Sequence, residues 1–353
     1  MTRIDWVILH RLGSRIAMTI IVLYGLIVLA ESLNVWRFQH LSAVGGPWLG
    51  LLAIVVEASR WSLGTLPVTL LIGAIIGILD LQARRELTVI KATGLSIWRV
   101  LRVPAIAVII CGIIASLVAD TLIVSVSRSL SLNMPQVSSS DSALWLEQRG
   151  ASQRYVMVAA HPHPGGTVLE DVTIFLDRDA DGGRIEARLM DLRDGEWFIA
   201  EGVRFRPDSP PQRVEGLSLP TTSTAGDMGL KLASPVELTI FELAEAMSKR
   251  LTDPGLRNGV EMRFLRLLSL PLVLAGSLLI AFAFTAGYRR TNKYGVAVLY
   301  GVVLGFVVYV ITEMASMAGA AGVLEPAFAA IAPAFVAIVI GTTVLLFRED
   351  GRA

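Results

Sequence analysis

Two long apolar runs of the chain are separated by the charged stretch Arg84-Arg85-Glu86-Leu87-Thr88-Val89-Ile90-Lys91-Ala92-Thr93-Gly94. Its spacing predicts a short helix of about three turns, with Leu87 and Ile90 on one face and charged residues on a neighbouring face. Gly94 suits the left-handed conformation that ends a helix, and Ser96 suits the cap of the next helix. Such a helix either receives a push from a soluble partner or only connects two membrane spans, and the stretch alone leaves both interpretations open.

The composition is that of an integral membrane protein. The chain has 353 residues, of which 54% are hydrophobic and 17% charged. Its net charge of +1 gives no bulk attraction to nucleic acid. The single cysteine, Cys111, excludes an intrachain disulfide and a zinc site built on several thiolates. The apolar run near the N-terminus has no clear cleavage site, and we interpret it as a retained span.

Six apolar runs are long enough to cross a hydrocarbon core about 30 Å thick, which needs roughly 20 helical residues. They are Ile16–Trp36, Leu63–Ala83, Ile97–Val124, Phe264–Ala286, Tyr294–Met317 and Ala327–Phe347. An apolar segment before the second run, Trp48–Ala58, is predicted to lie at the membrane interface.

The polar block between the third and fourth spans is predicted to be a β-domain. Short runs rich in β-branched and aromatic residues alternate there with clusters of Gly, Pro and Asp. Arg193-Asp194-Gly195 between two such runs is a strong hairpin signal. Helical spacing returns only at Ile240–Leu251. The predicted fold is an α-helical integral membrane protein with six transmembrane helices and an inserted antiparallel β-domain, as a sandwich or open barrel. The predicted domains are residues 1–124, 125–260 and 261–353.

The distribution of basic residues predicts the orientation of the chain, because Lys and Arg concentrate on the cytoplasmic side of membrane proteins. Both termini and the 84–94 stretch are therefore expected in the cytoplasm. The β-domain is expected on the far side, in the periplasm of a Gram-negative cell. The basic residues on the predicted cytoplasmic side are Arg3, Arg11, Arg15, Arg84, Arg85, Lys91, Arg99, Arg102, Arg289, Arg290, Lys293, Arg348 and Arg352.

Motifs of soluble enzymes are missing from the sequence. There is no Walker A motif, so the chain is not expected to bind ATP in that manner. His161 and His163 lie in a Gly/Pro turn without a nearby cysteine, and we interpret them as part of a loop. Alternating aspartates at 177, 179 and 181 faintly resemble a calcium loop, but Arg188 stands where such a loop needs a glutamate. No metal, cofactor or catalytic residue is expected on this chain.

Four carboxylates lie in or near the predicted spans, where ionisable residues are rare and informative. Asp80 and Asp120 lie close to span ends and are expected to reach water or to pair locally. Glu31 and Glu313 lie deeper and are expected to face other helices or a water-filled cavity. Gly73 and Gly77 are four apart, as are Gly301 and Gly305, and both spacings predict close helix packing, within the chain or against a partner.

Three features together resemble the lipopolysaccharide-export permease family LptF/LptG, also called YjgP/YjgQ. They are the two groups of three spans around a β-domain, the cytoplasmic sequence Arg85-Glu86-Leu87-Thr88-Val89-Ile90-Lys91-Ala92-Thr93-Gly94-Leu95-Ser96, and the re-entry at Glu261–Pro271. The resemblance covers nearly the whole chain. The segment Ala92–Trp98 and the run Gly305–Tyr309 resemble the LptG branch more than the LptF branch.

The resemblance implies a permease subunit of an ABC transporter that extracts lipopolysaccharide from the inner membrane. Such a subunit is not an enzyme. It pairs with a second six-span permease, which is LptF if this chain is LptG. ATP and Mg would be bound by two copies of the cytoplasmic ATPase LptB. The single-span protein LptC joins the complex, and lipopolysaccharide passes to a periplasmic bridge protein, LptA. The inserted domain would correspond to the family's periplasmic β-jellyroll.

The resemblance also implies roles for particular residues. The family's coupling helix, which contacts the ATPase, falls on Arg84–Gly94, and its gates fall on the first and fifth spans. Candidates for coupling to the ATPase are Arg84, Arg85, Glu86, Leu87, Ile90, Lys91 and Gly94. Candidates for the substrate cavity or gate are Glu31, Trp36, Arg37, Tyr309 and Glu313. The family is expected to carry lysines at the outer end of the first span, where this chain has Arg37, which can also grip a phosphate.

Two other functions are compatible with parts of the sequence. An ion-coupled secondary transporter would use Glu31 and Glu313 as proton or ion sites. A structural anchor would hold a periplasmic binding domain at the membrane and transport nothing. The transporter gives no obvious use to the large β-domain and the rigid cytoplasmic helix, and the carboxylates embedded in the spans argue against the anchor.

Overall fold

The computed structural model describes residues 3–34, 38–39, 42, 46–86, 89, 92, 96–132, 144–149, 154–163, 166–176, 183–193, 195–206, 209–221, 223, 228, 235–248, 254–285 and 294–349. The chain divides into two compact units. The membrane unit comprises Met1–Asn133, Thr239–Ser248 and Asn258–Ala353, and the β unit comprises Met134–Leu238 and Lys249–Arg257.

Among the described residues, six helical segments are long and apolar enough to cross a membrane. A π-helical turn at Ala115–Ala119 joins the helices Ile97–Ile114 and Asp120–Leu132 into a single span. In chain order the helices are α1 (Arg3–Ser32), α2 (Pro47–Ala83), α3 (Ile97–Ile114), α4 (Asp120–Leu132), α5 (Ile240–Ser248), α6 (Pro254–Thr285), α7 (Tyr294–Ala320) and α8 (Pro326–Glu349). The spans are thus α1, α2, α3 with α4, α6, α7 and α8, and this number confirms the prediction.

All six spans continue as helix beyond at least one predicted bound, and α2 extends the furthest. The segment Trp48–Ala58, predicted to lie at the membrane interface, is continuous with the second span in one helix; its place at the interface stays a prediction. The combined helix α2 has 37 residues and is about 55 Å long at 1.5 Å per residue, well beyond a hydrocarbon core of about 30 Å. The third span continues to Leu132. Hydropathy reveals only the uninterrupted apolar part of a helix, so it does not predict the charged or polar turns through which the same helix continues.

Small residues set how closely the helices pack. A Cβ atom at Gly73 of α2 would lie 2.8 Å from the Cα atom of Ile16 in α1. At Gly305 of α7 it would lie 2.7 Å from the side chain of Leu71 in α2. Both positions therefore serve close packing within the chain, one of the two interpretations that the sequence left open.

The β unit contains one six-stranded antiparallel sheet, which confirms the predicted antiparallel β-domain. The strands are β1 (Leu144–Arg149), β2 (Arg154–Pro162), β3 (Val168–Leu176), β4 (Gly183–Arg193), β5 (Glu196–Arg206) and β6 (Ser209–Pro220). All neighbouring strands are consecutive in sequence, as in a meander, so the crossovers of a jellyroll do not occur between the described strands. The predicted hairpin joins β4 to β5, and its Gly195 has φ of +82°.

The sheet curls so that the segment after its last strand meets its first strand. The hydroxyl of Ser223 donates to Oε1 of Gln148 in β1 over 2.8 Å, and the hydroxyl of Tyr155 in β2 donates to the carbonyl of Pro220 over 3.2 Å. Burial raises the pKa of Tyr155 well above its usual range. Apolar side chains, among them the fully buried Trp197 and Met157, fill the inside of the curl.

Candidate functional site

Charged side chains gather at two opposite ends of the membrane unit. At one end, the turn end, the amide of Gln82 in α2 donates to the carbonyl of Thr285, so α2 and α6 finish together there. At the other, the loop end, Gly319 of α7 packs against Met262 of α6. Met262 and Thr285 are separated by 23 residues of α6, about 35 Å of helix. The two ends are therefore about as far apart as the two faces of a bilayer.

At the turn end the backbone changes direction just after α2. The amide of Arg84 donates to the carbonyl of Asp80, and Arg85 has a left-handed φ of 59°. Helical conformation resumes at Glu86, and the amide of Val89 donates to the carbonyl of Arg85 over 3.0 Å. The prediction of one helix beginning at Arg84 was therefore wrong at its start, because Arg84 and Arg85 form a turn.

The other coupling candidates lie outside the described residues. They are Leu87, Ile90, Lys91 and Gly94. Ser96, which follows them, accepts a hydrogen bond from the amide of Arg99 and caps α3, as the sequence predicted.

Ion pairs tie the turn to α1. Arg11 lies 3.0 Å from Oε1 of Glu86, while Oε2 of Glu86 is buried without a hydrogen-bond partner among the described residues. Asp80 accepts from Arg15 of α1 over 3.2 Å and lies 3.5 Å from Arg84. The turn is thus fastened to the first span, and the Glu86 side chain faces its own chain. Arg11 and Arg15, four residues apart on α1, are the sequence signal for these pairs, although their position near the N-terminus predicts only the orientation of the chain.

At the loop end a buried ion pair joins the third and fourth spans. Nη2 of Arg263 in α6 lies 3.2 Å from Oδ1 of Asp120, the first residue after the π-helical turn. Their side chains are only 18% and 10% exposed. The local pairing expected for Asp120 is confirmed. Arg263 was not predicted as part of the site, although an arginine inside an apolar helix is a signal in itself.

A second pair, one helical turn away, joins the fourth and fifth spans. Nη2 of Arg266 lies 2.7 Å from Oε2 of Glu313 in α7, and Nη1 lies 3.2 Å from Oε1. Nη1 also contacts the hydroxyl of Ser316 at 3.3 Å. Tyr309 lies one turn before Glu313 on α7. Glu313 therefore faces another helix, as predicted.

The first span provides less of the predicted site. Glu31 lies in the last turn of α1 and is half-buried. Trp36 and Arg37, the neighbouring candidates, lie outside the described residues. The structure thus places Glu313 and Tyr309 on one helix and leaves the cavity candidates of the first span as predictions.

The two histidines of the β unit are paired with carboxylates. Nε2 of His163 lies 2.7 Å from Oε1 of Glu170, and Nδ1 of His161 lies 3.9 Å from Asp171. The hydrogen bond from His163 lowers the pKa of Glu170. Across the described residues, no three His, Cys, Asp or Glu side chains come close enough to hold a metal ion.

Most of the chain matches one protein family. A family profile described as lipopolysaccharide export system permease LptF/LptG matches residues 18–348 of this chain. A search of curated proteins gave no match. The matched range begins within the first span and includes the other five spans and the inserted six-stranded sheet. The chain therefore belongs to the LptF/LptG family of lipopolysaccharide export permeases, which are transport subunits and not enzymes.

Proposed function

We propose that this permease takes lipopolysaccharide from the inner membrane and passes it to a periplasmic bridge, with α1 and α7 as the gates of its lipid path. Family membership supports the transport role. The observation that carries the path is the exposure of these two spans. In the most apolar stretch of each span, 6% of the residues of α1 and 17% of those of α7 are buried, against 22% in the third span, 33% in α8, 44% in α2 and 56% in α6.

The open faces of these spans are apolar and large. On α1, Ile21 is 69% exposed and Leu26 is 56% exposed; on α7, Phe306 is 57% exposed and Ile311 is 53% exposed. Apolar surface of this extent is stable only against lipid, a partner or acyl chains. A second permease of the same family, LptF if this chain is LptG, facing α1 and α7 would enclose an apolar cavity between the two chains.

The substrate phosphates would meet positive charge at the rim of that cavity. Arg37 and Trp36 near the outer end of the first span are the candidates there, with Glu31, Tyr309 and Glu313 as further gate residues. Guanidinium groups bind phosphate through two parallel hydrogen bonds, which gives Arg37 the chemistry that the rim needs.

The energy would come from a separate ATPase, because the sequence has no Walker A motif. Two LptB subunits that bind ATP and Mg would push on residues Arg84, Arg85, Glu86, Leu87, Ile90, Lys91 and Gly94. The ion pairs of Arg11 and Arg15 support this role, because a turn fastened to α1 passes a displacement to a gate helix. LptC and the bridge protein LptA would complete the route, with the β-domain in the periplasm and both termini in the cytoplasm.

The ion-coupled alternative is disfavoured by the surroundings of Glu313. Both of its oxygens contact Arg266. A carboxylate that carries ions or protons needs an oxygen free to accept them. The anchor alternative gives no account of membership in a family of export permeases.

A crosslinking experiment tests the proposed gates. Photoreactive residues are placed at Leu26 and Ile311, and a third at Ile110 of α3 serves as the control, because it is 51% exposed and lies on neither gate. In membranes, positions 26 and 311 should crosslink to lipopolysaccharide or to a second permease, and ATP turnover should reduce the lipid crosslinks. Equal lipid crosslinking at all three positions, unaffected by ATP, would contradict the proposal.

A further inference from the structure

Arg266 and Glu313 form an ion pair in which the carboxylate takes the position on the guanidinium that another anion could take. The two contacts, at 2.7 and 3.2 Å, use both terminal nitrogens of the guanidinium and both oxygens of the carboxylate. A phosphate group presents two oxygens at a similar spacing, so the same guanidinium binds either group. Ser316, 3.3 Å from Nη1, adds a hydroxyl beside the site.

The pair is accessible, in contrast to its neighbour on the same helix. The side chains of Arg266 and Glu313 are 38% and 31% exposed, whereas those of Arg263 and Asp120 are 18% and 10% exposed. A ligand can therefore approach Arg266 without first opening the packing of the helices. Arg263 and Asp120 are enclosed and serve to join the third and fourth spans.

The pair lies along the spans at the depth where lipid headgroups are found. Glu313 lies seven residues before the end of α7 at Ala320, about 10 Å along the helix. This is the loop end, opposite the Arg84 turn. Lipid phosphates lie at the boundary of the hydrocarbon core, within reach of a long arginine side chain that extends toward it.

We propose that Arg266 binds a phosphate of the transported lipid and that Glu313 occupies Arg266 until that phosphate displaces it. The inference rests on the proposed lipid-transport function. An unpaired arginine inside a span is unfavourable, and Glu313 neutralises it while the site is empty. Exchange of carboxylate for phosphate replaces one bidentate pair by another, so binding stays reversible. The exchange also releases α7 from α6, which connects arrival of the lipid to the proposed gate helix.

The test uses Glu313→Gln in the chain purified with its natural partners. The amide still accepts a hydrogen bond from Arg266 but no longer competes with an anion. Binding is measured to lipid A with two phosphates, to lipid A without phosphates and to phosphatidylglycerol. Glu313→Gln should tighten binding of the phosphorylated lipid A about threefold to tenfold, because a partly exposed competing pair is lost. Arg266→Gln should weaken it, and phosphate-free lipid A should respond to neither change.

Glu242→Gln is the matched control. Glu242 of α5 also forms a bidentate pair with an arginine, Arg128, at 2.7 and 2.9 Å. Its side chain has a similar exposure of 37%, and it lies outside the spans. This variant should leave lipid binding unchanged. Tighter binding of phosphatidylglycerol but not of phosphorylated lipid A in Glu313→Gln would overturn the assignment of the ligand.

The outcome separates the two proposals. If the unmodified complex binds no form of lipid A, the proposed function fails. If the unmodified complex binds phosphorylated lipid A but Glu313→Gln leaves that affinity unchanged, only the proposed exchange at Arg266 fails. The same holds if Glu313→Gln changes the affinities for all three lipids equally. A cooperative thermal unfolding transition confirms that Glu313→Gln is folded. Glu313→Asp, which retains the charge, should bind like the unmodified chain.

Discussion

Arg11 of the first span and Glu86 of the turn after α2 lie 3.0 Å apart, across the junction between α1 and the end of α2. They are 75 positions apart in the sequence, and neither stands in a motif that points to the other. Their contact fastens the segment proposed to meet the ATPase to a proposed gate helix. A displacement of the turn is therefore passed to α1 through an ion pair and not only through the chain.

The first prediction concerns this pair. Arg11→Gln and Glu86→Gln should each lower the free energy of unfolding by about 0.5–1 kcal/mol, because the pair is partly exposed. The double variant should be little worse than either single one, since both remove the same contact. Thermal unfolding of the purified chain measures the stability, and lipid release per ATP hydrolysed measures coupling. Fully additive losses would contradict a direct interaction, and normal coupling in Glu86→Gln would contradict the role of the turn.

The second prediction concerns the buried pair between the third and fourth spans. Asp120→Asn leaves Arg263 enclosed without a compensating charge and should lower stability by about 3–5 kcal/mol. Replacing both residues, as Asp120→Asn with Arg263→Met, should recover much of that loss. The measurement is the unfolding midpoint in detergent. A double variant as unstable as Asp120→Asn alone would show that the loss of stability does not come from leaving Arg263 unpaired.

The third prediction uses two glycines of α2. A Cβ atom at Gly73 would lie 2.8 Å from the Cα of Ile16, a backbone atom that has little room to move. Gly73→Ala should therefore lower stability by about 1–3 kcal/mol. Gly64→Ala is the control, because no atom lies within 4 Å of the added Cβ; it should raise stability by up to about 1 kcal/mol, as alanine favours helix. Similar effects at the two positions would refute the close packing of α1 on α2.

The fourth prediction concerns pH and the helix that follows the β-domain. The hydrogen bond from Arg128 lowers the pKa of Glu242 to about 2, and Thr239 at the helix start contributes further. A lowered pKa stabilises the fold above the unfolded pKa of about 4.3, and the effect disappears as pH falls through about 2. The unmodified chain should thus unfold at a higher temperature than Glu242→Gln at pH 5 to 7. Its advantage should shrink below pH 4, and a constant difference down to pH 2 would contradict the pairing.

The spans and the β-domain were predictable because their signals are local. Uninterrupted apolar runs reveal the six spans, and Asp194-Gly195 marks the hairpin between β4 and β5. The bounds were less predictable: α2 begins 16 residues before the run that starts at Leu63, because Glu57 and Arg60 interrupt the apolar sequence without interrupting the backbone hydrogen bonds of the helix.

The charged partners were not predictable, because they depend on how helices rotate against one another. Glu313 stands out by its depth in the span, but nothing local to it indicates Arg266, 47 positions away. The spans are apolar on all faces, so the spacing of their residues does not show how each helix is rotated. Arg263 and Arg266, three apart inside an apolar helix, are one signal of such partners, since buried arginines require nearby acids.

Co-purification tests the central claim most directly. The chain is tagged in its native membrane, solubilised gently, and the proteins that accompany it are identified by mass spectrometry. The account predicts a cytoplasmic ATPase and a second six-span chain with an inserted β-domain, whose sequence would also decide which is LptF and which LptG. Recovery of this chain alone, or as a homodimer without an ATPase, would contradict the account and shift attention to Glu31 and Glu313 as ion sites.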